Sequence, residues 1–137
     1  MIETRVRWLG GMEFEGALDS EYPIVMDTSA KFGGKGRGLT PMQLLLVALG
    51  GCTGMDVVSI LEKMGVETDS FEIRLQGERE TEHPKAYRWI EIKYILKGKD
   101  IIEEKVRKAI TLSQTKYCSL SAMLEKACEI KYAYEIV

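Results

Sequence analysis

The sequence predicts an α+β fold built on antiparallel sheet, in the order β-β-β-α-β-β-α-α-β. Two observations carry that prediction. Apolar and polar residues alternate with period two near the N-terminus, around residues 71–96 and at the C-terminus, whereas residues 40–64 and 100–127 show helical spacing. The strands also come in groups with helices between the groups, unlike the one-strand-one-helix alternation of a parallel α/β sheet.

Taken in order, Ile2, Thr4, Val6 and Trp8 alternate with Glu3, Arg5 and Arg7, as a half-buried strand does. Gly10-Gly11 turns this strand into a second, where Met12 and Phe14 alternate with Glu13 and Glu15. Tyr22 to Met26 forms a short third strand, and Ala30 to Gly38 a glycine-rich, basic loop.

The longest helix follows. Thr40 is its N-cap, Pro41 suits the first helical position, and Gln43 completes a Thr-x-x-Gln capping box. Gly65 is its C-cap. Leu44 to Leu49 leave no polar face, so this half is expected to be buried on all sides. The apolar run is short and interrupted by Gly50-Gly51, which argues against a bilayer span. Each glycine inside a helix costs roughly 1 kcal/mol relative to alanine. That cost points to close backbone approach, by another helix or by something that must reach Cys52.

Period two then returns: Phe71, Ile73 and Leu75 on one strand, and Ile90, Ile92, Tyr94 and Leu96 on the next, with a polar loop from Glu80 to Lys85 between them. Asp100-x-x-Glu103 reads as the cap of a second helix carrying Ile102, Val106, Ala109 and Ile110. A short third helix starts near Cys118-Ser119, and a last strand places Ile130, Tyr132, Tyr134 and Ile136 on one face. The 137 residues, 45% hydrophobic, suffice for a single domain over 1–137 with one core. An apolar half-helix in so small a domain needs more cover than two short helices and thin sheets supply, so a dimer is expected.

Composition narrows the function. A net charge of −2 with mixed signs shows no basic stripe for nucleic acid, and no membrane partner is expected. The N-terminus alternates without an apolar leader segment, which makes cytoplasmic residence the expectation. Three cysteines, no Cys-x-x-Cys and the single His83 argue against a disulfide framework or a structural zinc site, and no metal or cofactor is expected. The absence of asparagine suits a heat-adapted source.

The cysteines are the candidates for chemistry. Cys128 shares parity with the last strand's apolar face and reads as core packing. Cys118 lies at a helix N-terminus, where unpaired amides favour a thiolate, and reads equally as a small apolar residue in a helix–helix corner. Cys52 is mid-helix, with Gly50-Gly51 opening space beside it. Residues 33–40 fail as a phosphate loop, because Leu39 stands where the motif needs lysine. The loop reads either as a plain solvated one or as a cationic flap that attracts an anionic substrate.

TPMQLLLVALGGCTGMDVVSIL, followed by KYCSLSAMLEKA, resembles the paired cysteine segments of the OsmC/Ohr family, and the resemblance spans essentially the whole chain. It implies an OsmC-like fold and an intertwined homodimer, with long helices packed centrally and sites at the subunit interface. It also implies a thiol peroxidase acting on organic hydroperoxides. Cys52 would be the peroxidatic thiol and Cys118 the resolving one, with an external dithiol as reductant. Peroxidase members carry an arginine just after the first-hairpin glycines and a glutamate after the proline that opens the helix. Here those positions are Met12 and Met42. Arg37 and Lys116 are the nearest substitute cations by sequence, and Met12, Met42 and Arg37 are taken as a candidate substrate pocket. A redox-sensing or ligand-binding dimer without peroxidase activity, and a structural role for inert cysteines, are the competing readings.

Overall fold

A computed structural model describes all residues, 1–137. Its elements are β1 (Arg5–Gly10), β2 (Glu13–Leu18), β3 (Glu21–Met26), α1 (Pro41–Lys63), β4 (Ser70–Arg79), β5 (Tyr87–Lys97), α2 (Glu103–Leu112), α3 (Ser119–Leu124) and β6 (Glu129–Ile136). The predicted α+β order is therefore the observed one. The chain forms two compact units, Met1–Leu45 and Leu46–Val137.

In the first unit, β1, β2 and β3 make an antiparallel sheet in sequence order. Gly10 and Gly11 both take positive φ at the β1–β2 turn, and the Trp8 indole N–H closes it by donating to the Gly11 carbonyl at 2.9 Å. The expected half-burial of β1 is not found: Val6 and Trp8 are 58% and 63% exposed. With Phe14 and Ile24 they stand on one sheet face, apolar and open.

The glycine-rich loop is organised from within. Asp27 is buried, and its carboxylate accepts the amides of Thr28 at 2.7 Å, Lys35 at 3.2 Å and Arg37 at 3.1 Å. A Cβ on Gly34 would collide with the Thr28 carbonyl, so the loop can wrap this carboxylate only with glycine there. Amides that could have received an external anion are thus turned onto an internal one.

Helix α1 begins as its sequence dictates. The Thr40 amide donates to Gln43 Oε1 at 3.0 Å and the Gln43 amide to Thr40 Oγ1 at 3.2 Å, the reciprocal capping box. It ends on Gly65 at φ 75°, with Val66 N–H donating to Leu61 O and Gly65 N–H to Glu62 O. The helix runs unbroken through Gly50-Gly51 for 23 residues, so by length and apolarity alone it could span a membrane. The single helix expected between Thr40 and Gly65 is therefore observed, because a glycine pair weakens a packed helix without breaking it.

All-round burial of the first half of α1 is also not observed; Val47 is 55% exposed and Ala48 is exposed. The buried stripe of the second unit is Leu49, Thr53, Val57 and Leu61, one residue per turn. Gly50 and Gly54 let this helix lie close on β4. A Cβ there would come within 2.8 Å of Leu75 Cδ1 and 3.0 Å of Ile73 Cδ1 respectively. Gly51 has open space beside it.

The second sheet has the order β4-β5-β6, and the expectation of wholly antiparallel sheet needs correcting: β5 and β6 pair in parallel. Parallel neighbours need a long crossover, which α2 and α3 supply. Ile90, Ile92, Tyr94 and Leu96 of β5 are fully buried, and each aliphatic one contributes about 1.5–3 kcal/mol through removal from water. Tyr132 on β6, expected on the buried face, is 41% exposed. Asp100 does not cap α2; it takes φ 59°, and the helix starts after Ile102 with no side-chain cap.

Candidate functional site

Two segments distant in sequence build the site, both in the second unit. Cys52 lies on α1, one position before the buried stripe residue Thr53, and is half-buried. Cys118 lies between α2 and α3, where the chain leaves α2 through a wide turn. There Cys118 N–H donates to the Ser113 carbonyl, five residues back, at 2.7 Å. This π-type turn carries Ser113 and Gln114 inward, both buried. Cys118 then caps α3 and is 2% exposed.

The two sulfurs meet. Cys118 Sγ is 3.3 Å from Cys52 Sγ, with the Cys118 thiol as donor, and the cysteines are free. The Ser121 amide points at Cys118 Sγ at 3.4 Å, as the helix-start argument expects. Burial is the largest influence on Cys118 and pushes its thiol pKa up, outweighing the lowering by the Ser121 backbone amide. Cys128 packs against the core as expected, and burial raises its thiol too.

Of the remaining candidates, Met12, Met42 and Arg37 belong to the first unit and Lys116 to the second. Met12 is half-exposed and lines an apolar cavity of about 280 Å³ in the first unit, with Val6, Phe14, Met26 and Pro41. Met42, the second residue of α1, is partly buried. Arg37 is engaged within the first unit, its guanidinium 3.7 Å from the Glu13 carboxylate and its amide on Asp27. The Lys116 ammonium lies over the Tyr117 ring, 5.2 Å from its centroid.

Sequence reasoning missed the polar cluster in the same core. Thr53 Oγ1 contacts Tyr94 OH and Ser113 Oγ, both at 2.7 Å, and Ser113 Oγ donates to Asp56 Oδ2 at 2.9 Å. Gln114 Nε2 donates to Thr53 Oγ1 at 3.1 Å and Tyr94 OH at 2.8 Å, while Ser121 Oγ donates to Gln114 Oε1 at 2.9 Å. Burial pushes the Tyr94 phenol pKa up to about 12, so it remains a donor. A signal was available: Thr53 and Ser113 continue otherwise apolar helical stripes, and a polar group so placed must find partners.

Comparison with known proteins finds similarity in both sequence and fold. The family model described as OsmC-like protein matches residues 34–133. Protein YhfA of Escherichia coli K12 is 39% identical over 137 residues, covering 99% of this chain and 98% of that protein. The crystal structure of a hypothetical protein from Aquifex aeolicus VF5 superposes with a TM-score of 0.88 at 36% identity, covering 100% of this chain and 96% of that one. An organic hydroperoxide resistance protein OsmC from Legionella pneumophila shares the fold, with a TM-score of 0.74 at 10% identity over 98% of this chain and 96% of that one. With the family model matching residues 34–133 and a relative 39% identical over nearly its whole length, the chain belongs to the OsmC-like family.

Proposed function

We propose that this protein is a two-cysteine thiol peroxidase that reduces organic hydroperoxides. The observation that carries the reading is the 3.3 Å approach of Cys52 and Cys118, residues 66 apart in sequence. Cys52, the more accessible sulfur, attacks the distal peroxide oxygen as thiolate. The O–O bond breaks, the alkoxide leaves and takes a proton as alcohol, and Cys52 becomes a sulfenic acid. The Cys118 sulfur then attacks the Cys52 sulfur, forming a disulfide and releasing water. An external dithiol reduces that disulfide and is itself oxidised. The fold shared with a hydroperoxide resistance protein supports the same reading.

The active form in this reading is a homodimer. Val47, Gly51, Met55 and Val58 form an open stripe along α1, with Met55 78% exposed. The apolar face of the β1–β3 sheet is open as well, and a second copy is the cover that suits both.

The test is consumption of cumene hydroperoxide by purified protein with dithiothreitol as reductant. The expected result is turnover well above that of dithiothreitol alone, abolished by Cys52→Ser, with Cys118→Ser overoxidised at Cys52. Wild-type consumption no faster than free thiol overturns the reading. A ligand-binding dimer is the second reading, favoured by the apolar Met12 cavity. Native mass spectrometry showing a co-purified small molecule, without peroxide turnover, would select it.

A further inference from the structure

The polar cluster around Thr53 can be read proton by proton. An ionised carboxylate only accepts, each hydroxyl supplies one proton, and a carboxamide nitrogen supplies two. The hydrogen bonds joining Asp56, Ser113, Thr53, Tyr94, Gln114 and Ser121 number six. Four hydroxyls and one amide supply six protons, so each bond has one only if none is used elsewhere.

A single assignment satisfies that condition. Ser113 gives its proton to Asp56 and must accept from Thr53. Thr53, its own proton committed, accepts from Tyr94 and Gln114, and Tyr94 accepts the second Gln114 N–H. The amide oxygen of Gln114 is therefore turned to Ser121 and takes that hydroxyl's proton. With the amide turned the other way, the Thr53–Tyr94–Gln114 triangle would hold one proton for three bonds.

The consequence falls on Cys118. The Ser121 side chain also reaches this sulfur, yet its proton is spent on Gln114. Cys118 is left with the Ser121 backbone amide as donor and with Cys52 as recipient of its own proton. We propose that Gln114 is a positioning residue that claims the Ser121 hydroxyl proton and thereby keeps Cys118 the protonated, donating member of the Cys118–Cys52 pair. This rests on the two-cysteine reading for its catalytic consequence: Cys52 is free to attack while Cys118 waits as a thiol. The titratable groups that interact with Cys118 are Cys52 from α1 and Tyr94 from β5, and Asp56 anchors the far end of the chain of bonds.

The test is a site-resolved ¹³Cβ NMR titration of both cysteines in the reduced full-length protein. Ser121→Ala should leave the Cys118 midpoint in place, because no hydroxyl donation is lost. Gln114→Met frees the Ser121 hydroxyl to turn to the sulfur and should raise the Cys118 thiolate fraction about tenfold at a given pH, the scale of one hydrogen bond to a charged group. The double variant should return to the wild-type midpoint. A purely structural role for Gln114 would alter stability without this pattern. An upward shift in Ser121→Ala overturns the proposal, as does a folded Gln114→Met with an unmoved midpoint. If Gln114→Met does not fold, Ser121→Ala decides alone. The titration needs no peroxide, so an inactive wild type with the expected pattern overturns the peroxidase reading only.

Discussion

Cys118 Sγ stands 3.3 Å from Cys52 Sγ, closer than two unbonded sulfurs rest by packing alone and about 1.3 Å longer than a disulfide. Closing that gap calls for small side-chain movement, whereas Cys128 has no sulfur partner within reach. Oxidation with one equivalent of hydroperoxide or diamide should therefore produce a Cys52–Cys118 cross-link in the intact fold. Non-reducing peptide mass spectrometry should show that linked pair, a loss of two hydrogens, and a Cys128 still open to alkylation after unfolding. A Cys128-containing bridge as the main product would contradict the geometry.

Thr53 is fully buried and serves three bonds, donating one and accepting two. Thr53→Val keeps the shape and removes all three, leaving Ser113, Tyr94 and Gln114 short of partners. The expected loss is about 2–4 kcal/mol of unfolding free energy, since orphaned buried polar groups carry their full desolvation penalty. Thr53→Ser retains the oxygen and should lose only about 1 kcal/mol for the methyl. Urea denaturation of both variants measures the difference, and equal losses would mean that packing, not hydrogen bonding, sets the role of Thr53.

What was legible in the sequence was local. Thr40 and Gln43 sit one turn apart and made the capping box their spacing announced, and Gly65 made the C-cap. Ile90, Ile92, Tyr94 and Leu96 followed their period onto the buried face. Period, however, carries no strand direction, so the parallel β5–β6 pairing could not be read from it. The Thr53–Tyr94–Gln114 cluster joins residues 20 to 61 positions apart, beyond any spacing rule. The Cys52–Cys118 approach was likewise inaccessible from spacing and came only from resemblance to a family. Burial of α1 and β1 was overestimated because their apolar faces lie open on the single chain.

Asp27 gives the N-terminal unit a defined response to acid. The Thr28 amide, then the Arg37 amide, hold its carboxyl below the ordinary 3.8, with burial acting in the opposite sense and the Lys35 amide adding to the lowering. A folded-state pKa below the unfolded one contributes stability that is fully present above the unfolded value and is lost as pH falls through the folded value. The contribution should thus be complete at neutral pH and disappear below pH 3.8. Asp27→Asn should unfold at a lower temperature than wild type at pH 7, and the difference should shrink in acid below that point. Amide NMR signals of Lys35 and Arg37 should move over the same range. A gap in melting temperature that stays constant from pH 7 into strong acid would rule out this linkage.

Gly51 tests the proposed dimer most sharply, because its chemistry predicts opposite outcomes for one chain and for two. A Cβ at Gly51 meets nothing within 4 Å in the chain, so Gly51→Ala in a free helix face gains about 1 kcal/mol from helix propensity. If the Val47–Gly51–Met55 stripe meets the same stripe of a second copy, Gly51 marks the place where two backbones come closest. Added volume there then works against association. Gly51→Leu, too large for a close helix crossing, should shift wild-type dimer toward monomer in analytical ultracentrifugation, with helical circular dichroism retained. Gly50→Ala is the control, since its Cβ would meet Leu75 inside the chain and should affect folding of the single chain before association. A Gly51→Leu protein that sediments as wild type does, at equal concentration, would place the dimer interface on another surface.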